Sequence, residues 1–488
     1  MICSLLLLCL LGQAADLDYQ RGMALAREQR WEEAEAAFRE GARRAPADKR
    51  FPLELAGIAF KRRDYGSALR NVHRALKIDP ADAYANEFAG TVYLLEGNTE
   101  AALKYWNRIA KPRIENFRTE PAPRVDPVLL DRAFAFAPAS TVTLTEYRAT
   151  LARLGHLDLF PSWTLTLEPR PDSDSFDAVL RTVQTRWWLN ALRGLPYWTL
   201  YPGARNLGGR GIGIQSLLRW DTQKRRAALA ITGPIARQPA WLYRVFADAR
   251  NENWIIPGRD GFNLKRTAAG AETEALFGDR WKWTSGARFT HRRFANAGFT
   301  PGSTLEAHTG LSAALLRIPE RKLSITGGGD ARMGRFFEQG VFTKTEASAE
   351  AKWHETNVRF RAGRSSGPVP FDEFYMLGYE RDNNLWMRAH IGTSDGKKGS
   401  APLGSGYLLA NWETDKVVRE GGFYTFSLGP FLDTGKVYGR PGTQFGYSGW
   451  MFDTGIQLKV RVRHAAEIVV LWGKDLRTGR NAWYATAR

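Results

Sequence analysis

The sequence predicts a multidomain chain. An all-α repeat array comes first, then a small α+β domain, then a C-terminal antiparallel transmembrane β-barrel of about sixteen strands. Three observations carry this reading. From about residue 205 onward, apolar and polar residues alternate in long runs. Nothing after residue 20 approaches the ~18 apolar residues of a spanning helix, so a membrane span has to be built from strands. Residues 15–112 repeat with a period of 34.

The alternation is clearest late in the chain. Tyr424, Phe426, Leu428 and Leu432 share one face of a strand, and Thr425, Ser427, Gly429, Asp433 and Gly435 share the other. An apolar face opposite a small, polar one suits lipid outside and a polar lumen inside. Trp281, Trp283, Ser285, Ala287 and Phe289 likewise oppose Lys282, Thr284, Gly286 and Arg288. Trp450, Phe452, Ile456, Leu458, Val460 and Val462 oppose Met451, Asp453, Gln457, Lys459 and Arg461. Val358, Phe360 and Ala362 oppose Arg359 and Arg361. Charges at alternate positions of an apolar strand are costly unless they face water or a partner, and a lumen supplies both. Trp254, Trp281, Trp412 and Trp450 suit the aromatic girdle. A soluble β-sandwich would want shorter strands and fewer large outward aromatics. About fifteen strand-like segments are present, and the even-number rule favours sixteen, with fourteen next.

The N-terminus opens MICSLLLLCLLGQAAD. Its short apolar core and small-x-small site read as a signal peptide over residues 1–14, without the usual positive start. Cys9 follows leucines rather than the small residues of a lipobox. Both cysteines, Cys3 and Cys9, lie in this segment. A mature chain would have neither disulfide nor thiolate metal site. The net charge of +18 fits lumen and loop arginines, or attraction to anionic headgroups and acidic partners. No nucleic-acid module is visible.

In the repeat array, Gly22, Ala56 and Gly90 share a column, as do Ala34, Ala68 and Ala102, and Phe38, Val72 and Trp106. Small residues let paired helices approach, and the bulky one fills the gap. This resembles the tetratricopeptide repeat, and the resemblance implies a groove for a peptide or partner helix. A spacer or dimerisation arm is the alternative. Residues 113–127, with Pro121, Pro123 and Pro127, read as a Pro-rich linker. In residues 128–185, Arg132–Phe136 reads as a strand and Thr145–Leu154 as a helix. Residues 163–167 and Phe176–Val183 read as a hairpin. The order resembles a single POTRA domain, a periplasmic module placed before certain outer-membrane barrels. Residues 186–488 then form the barrel.

Enzyme signatures are missing. GYSGW at 446–450 has the wrong spacing for a nucleophile elbow, and His354-Glu355 lacks a second His. The run Gly208–Gly213 has no following helix or Lys-Ser/Thr, and reads as a first barrel strand. Asp330 after three glycines reads as lumen-facing, with cation binding the lesser alternative. No cofactor is called for.

The last third resembles the superfamily of outer-membrane assembly and translocation barrels, the BamA, TamA and two-partner-secretion transporter type. Its Gly-x-Phe-x-Asp-x-Gly pattern stands here as Gly429, Phe431, Asp433 and Gly435. Its Val-Arg-Gly-aromatic loop tip stands as Met387-Arg388-Ala389-His390. The resemblance implies that this loop folds into the lumen. Strand parity points Asp433 and Glu413 inward, so Arg388 becomes the candidate bidentate partner of both. The implied function is insertion or translocation of client proteins in the bacterial outer membrane, with residues 15–185 in the periplasm. The implied partners are outer-membrane lipid, an unfolded or secreted client, and a periplasmic partner in the repeat groove. A passive pore or anion transporter lined by Arg359, Arg361, Lys459 and Arg461, or an envelope scaffold, are the alternatives. The chain ends NAWYATAR, where members of the superfamily commonly end on an aromatic.

Overall fold

The structure, a computed structural model, describes residues 2–487 apart from 172, 184–193, 195–197, 257–259, 296–297, 338, 440–446, 448 and 463–465. Of residues 2–12, 466 and 487 the backbone alone is described. The chain divides into two compact units. One takes in residues 1–118, 136–148 and 165–180, the other residues 119–135, 149–164 and 181–488.

The first unit begins with six helices: α1 (Ile2–Arg27), α2 (Trp31–Arg44), α3 (Arg50–Lys61), α4 (Tyr65–Ile78), α5 (Ala83–Leu95) and α6 (Thr99–Trp106). The backbone of α1 runs unbroken across Gly12–Ala14, and the side chains of Cys3 and Cys9 lie outside the described residues. Short polar side chains start the later helices. Asp64, Asp82 and Asn98 each accept a backbone N–H from the first turn, satisfying a donor the helix leaves free. The repeat columns have a packing reason. A Cβ added at Gly22 would lie 2.5 Å from the Phe38 ring, and one at Gly90 would lie 2.3 Å from the Trp106 indole. In the middle pair the facing residue shrinks to Val72, Ala56 takes the glycine's place, and both are fully buried.

A four-stranded sheet follows, in the order β2-β1-β4-β3. Its strands are β1 (Arg113–Glu120), β2 (Ser140–Thr141), β3 (Ser162–Pro169) and β4 (Ser175–Val183), with α7 (Pro127–Ala133) and α8 (Leu144–Leu157) between them. Two sequence expectations are corrected here. The stretch 113–127 is no linker, because residues 113–120 form a sheet strand that lies between Pro112 and Pro121. Arg132–Phe136 is no strand either, because its first residues close α7. Pro127 opens that helix and the Asp126 carboxylate accepts from Val128 N–H, a start signal that outweighs the apolar run after it. In the first unit, the buried Tyr147 hydroxyl donates to Leu165 O at 2.7 Å.

The second unit is dominated by a closed barrel. Its first strands are β5 (Thr199–Leu200), β6 (Gly203–Leu207), β7 (Ile212–Trp220), β8 (Lys224–Ile235), β9 (Gln238–Trp254) and β10 (Phe262–Phe277). Then come β11 (Trp281–Ala295), β12 (Gly302–Ile318), β13 (Leu323–Phe336), β14 (Gly340–Trp353) and β15 (Thr356–Ser366). A long loop holds the short strands β16 (Tyr375–Met376), β17 (Thr393–Ser394), β18 (Lys397–Lys398) and β19 (Leu403–Gly404). The ring resumes with β20 (Gly406–Thr414), β21 (Lys416–Glu420), β22 (Tyr424–Tyr438), β23 (Met451–Val462), β24 (Ala466–Asp475) and β25 (Asn481–Ala487), which stands next to β5.

Nineteen strands thus enter the ring. β17 and β18 belong to the loop, β5 and β6 share the partner β7, and β20 and β21 share β22. That leaves fifteen staves among the described residues, where the even-number rule led to sixteen. The run Gly208–Gly213 is not the first strand. Gly208, Gly209 and Gly211 have φ of 59°, 76° and 72° and turn the chain from β6 into β7. Within this unit α7 lies against barrel turns: Asp126 N–H donates to Gly209 O at 2.7 Å, and Arg132 to Ala236 O at 3.2 Å.

The two faces differ as the alternation predicts. Phe289, Leu305, Phe360, Leu428 and Ile456 point out and are exposed, while Arg292, Phe431 and Asp433 point in and are buried. Trp254 departs from the expected girdle. It lies on the inward face with Glu252, to which its indole N–H donates at 3.0 Å, and packs edge-on against Phe371 of the loop.

Two predictions follow from this packing. Gly90→Val forces methyls into Trp106 and should destabilise the helical unit by about 1–3 kcal/mol. Gly57→Ala, whose Cβ would meet nothing within 4 Å, should leave it unharmed or gain a few tenths of a kcal/mol. Thermal melts followed by helical circular dichroism would compare them, and equal melts would refute the column argument. A closed barrel should also shift its gel mobility on boiling; identical migration before and after would contradict closure.

Candidate functional site

Strands β15 and β20 pair directly, Arg364 opposite Gly406. The loop between them, residues 367–405, therefore begins and ends at one point on the wall. Its apolar residues pack inside the barrel. Phe371, Met376 and Leu403 join Trp254, Phe262 and Leu264. Tyr375, Leu377, Leu385 and Met387 join Tyr407, Leu409, Val437 and Met451.

The loop tip carries Arg388, which is 3% exposed. Its Nε donates to Asp433 Oδ2 at 2.9 Å and its Nη2 to Oδ1 at 2.6 Å, a two-pronged grip on one carboxylate. Its own backbone N–H donates to Asp433 Oδ2 at 2.9 Å. Nη1 reaches Glu413 Oε2 at 2.7 Å and Gln457 Oε1 at 3.1 Å. The guanidinium lies 4.0 Å from the centroid of the Phe431 ring, an attractive placement over the π face. Asn411 Nδ2 donates to Asp433 Oδ1 at 2.7 Å and to Trp386 O at 2.8 Å, joining wall and loop. Lys459 bridges Glu413 at 3.2 Å and Asp415 at 2.6 Å.

The two motif glycines have steric roles. A Cβ at Gly429 would lie 1.7 Å from Thr414 O, at the break between β20 and β21. One at Gly435 would lie 3.0 Å from Leu408 O and 3.1 Å from Leu377 of the loop.

The wall here is acidic by register. Asp433 stands opposite Asp453, and Asp453 opposite Asp475, on three successive strands. Like charges in directly opposed positions repel, so the row needs cations from the loop. Arg388 answers the first. His390 faces the other two, with Nδ1 3.0 Å from Asp453 and Nε2 3.7 Å from Asp475.

Sequence reasoning missed the opposite half of the loop. Asp372 pairs with Arg292 at 2.6 Å and Arg266 at 3.2 Å. Glu373 is ringed by Arg288 at 3.0 Å, Arg292 at 3.1 Å, Lys344 at 3.2 Å and Arg266 at 3.3 Å. Asp382 meets Arg219 at 3.1 Å, Arg226 at 3.4 Å and also Lys224, while Glu380 meets Lys398 at 3.3 Å. Acidic loop residues thus face a basic wall on β7, β8, β10, β11 and β14, and Arg388 and His390 face an acidic wall on β20, β22, β23 and β24. The signal was present as inward-parity cations and the runs FDEF and ERD; matching them needed the loop's path. Asp330, read as lumen-facing, binds Arg332 at 3.0 Å. Among the described residues, the one group of His and carboxylates close enough for a metal ion is His390, Asp453 and Asp475.

No family model and no curated protein matches the chain. Solved structures do. CdiB from Escherichia coli is 13% identical, with 78% of this chain and 75% of that one covered at a TM-score of 0.52. CdiB from Acinetobacter baumannii is 11% identical, covering 77% and 73%, at 0.47. BamA from Haemophilus ducreyi lacking POTRA domains 1–3 is 12% identical, covering 77% and 84%, at 0.44. The likeness to the Escherichia coli protein is one of fold: the chain has that type of barrel.

Arg388→Ala should destabilise the barrel by about 3–5 kcal/mol, because the buried Asp433 carboxylate is left without its cation. Asp433→Ala should cost about as much, and the double mutant little more, since both remove one contact. Arg388→Lys should recover only part, lacking the planar fork. Thermal unfolding in detergent measures all four; additive losses, or none from Arg388→Ala, would refute the coupling.

Proposed function

We propose that the chain is a bacterial outer-membrane barrel that inserts or translocates client proteins, with residues 367–405 as a lumen lock. In this reading Arg388, Asp433 and Glu413 are the lock, and Gly429, Phe431 and Gly435 shape its seat. The observation that carries it is the occupied lumen. A loop tied to the wall through ion pairs in three sectors gives a gate, whereas a passive pore needs a standing open path.

The helix pairs of residues 15–112 would act as a tetratricopeptide-type groove for a periplasmic partner. The four-stranded sheet would serve as a POTRA-like module. Its eight-residue edge strand β3 is long enough to accept a client segment as an added strand. No covalent chemistry enters this scheme. An anion pore is less well supported. The cations it would use already face acceptors: Arg359 meets Glu350 at 2.6 Å, Arg361 meets Asn411 at 3.2 Å, and Arg461 meets Glu467 at 2.8 Å.

Purified protein in planar bilayers should conduct little and fluctuate, and Arg388→Ala should raise its conductance. Depleting the protein should lower the amount of particular outer-membrane or secreted proteins. Large steady conductance, with solute uptake altered and no other protein displaced, would replace this reading with the pore.

A further inference from the structure

Arg388 neutralises one carboxylate of the aspartate row and leaves two. Asp453 is fully buried and Asp475 nearly so. Asp453 Oδ2 accepts the Ala389 N–H at 2.7 Å and lies 3.1 Å from His390 Nδ1. Its other oxygen, Oδ1, is enclosed by protein and takes no hydrogen bond, although His390 Nδ1 is 3.0 Å away. Asp475 is held from behind by Arg477 N–H at 2.9 Å and by the Thr478 hydroxyl. One donor atom from each of His390, Asp453 and Asp475 can be chosen so that all three lie within 4.8 Å of one another. The wall is flat at this point: a Cβ at Gly473 would lie 3.2 Å from Arg388 O and 3.4 Å from Ala389 Cα. The tip can therefore settle onto β23 and β24.

We propose that His390, Asp453 and Asp475 bind a divalent transition cation of the zinc class, which fastens the loop tip to β23 and β24. The chemistry of the donors points to that class. One imidazole nitrogen and two carboxylate oxygens suit borderline cations such as zinc or cobalt, and three protein ligands leave a position for water. As placed, the imidazole turns Nδ1 to Asp453 and Nε2 to Asp475; in the metal-bound site one of these nitrogens would join one oxygen from each aspartate at ~2.0–2.2 Å. The cation supplies charge that the row otherwise lacks, because Arg388 is engaged by Asp433 and Glu413 and Lys459 by Glu413 and Asp415. Fixing of Asp475 by Thr478 and the Arg477 N–H is the support that orients a ligating carboxylate. This site stands independently of what the barrel transports.

The test uses the full chain in detergent, stripped with a chelator and titrated with Zn²⁺ by calorimetry. Wild type should bind one equivalent and melt at a higher temperature with zinc. His390→Ala and Asp475→Asn should each weaken binding by about tenfold or more. Asp395→Asn, at an exposed loop acid, should bind as wild type. Co²⁺ gives a readout independent of any variant: wild type should develop the visible absorption bands of a nitrogen- and oxygen-ligated ion, and Zn²⁺ should displace it. No stoichiometric zinc binding by wild type would overturn the proposal, leaving an imidazole–carboxylate bridge. Undiminished binding by a folded His390→Ala would overturn it too, as adventitious metal at the surface.

Discussion

A charge on the inner wall of a closed barrel has to be answered from within the barrel. Closure leaves no sheet edge, and the pleat sends every second side chain into the lumen. The wall of this barrel is charged in a sorted way. Cations gather on the earlier strands, among them Arg219, Arg266 and Arg292, and Asp433, Asp453 and Asp475 gather on the later ones. The wall answers part of this charge itself, with Lys224 on Glu252 and Arg250 on Asp248 at 2.7 Å each and Lys459 on Glu413 at 3.2 Å. The loop carries much of the rest, with Asp372, Glu373 and Asp382 turned one way and Arg388 the other. Buried pairs of this kind add little net stability, but they strongly penalise any arrangement that separates them. They specify where the loop lies more than how stable the barrel is.

Apolar packing and small residues make that placement possible. Met387 and Leu377 bury beside Tyr407 and Met451, so the guanidinium is shielded from water where it meets Asp433. Glycine on the facing strands lets backbone approach backbone. At Gly455 an added Cβ would fall 2.0 Å from Trp472 O and 2.7 Å from the Phe431 ring, which would displace the ring beneath Arg388. The motif residues are thus connected sterically as well as by charge.

Much of the barrel was legible because parity is local. Counting by two assigns Leu428 outward and Asp433 inward without knowledge of any neighbour. The sites that parity cannot reach depend on tertiary partners. Trp254 has the composition of a girdle residue, and its inward position follows from the strand's register and from Phe371, more than a hundred residues later. Arg388, Asp433 and Glu413 were singled out through a resemblance and parity together, and the structure has all three in contact. The acidic half of the loop had no such pointer. Strand β1 was hidden by the prolines at its ends, and α7 by an apolar run that reads equally as strand.

The loop leaves and rejoins the wall at adjacent residues, Arg364 and Gly406 being strand partners. Its two ends therefore cannot be drawn apart, and it cannot slide out as an extended thread while β15 and β20 stay zipped. Its departure has to be a swing about that one root. The three sets of contacts lie at different azimuths around the wall, so such a swing would peel them in succession rather than together. On the proposed reading of the loop as a gate, the barrel would pass through half-open states whose width is set by which sector still holds, giving an aperture with discrete stops.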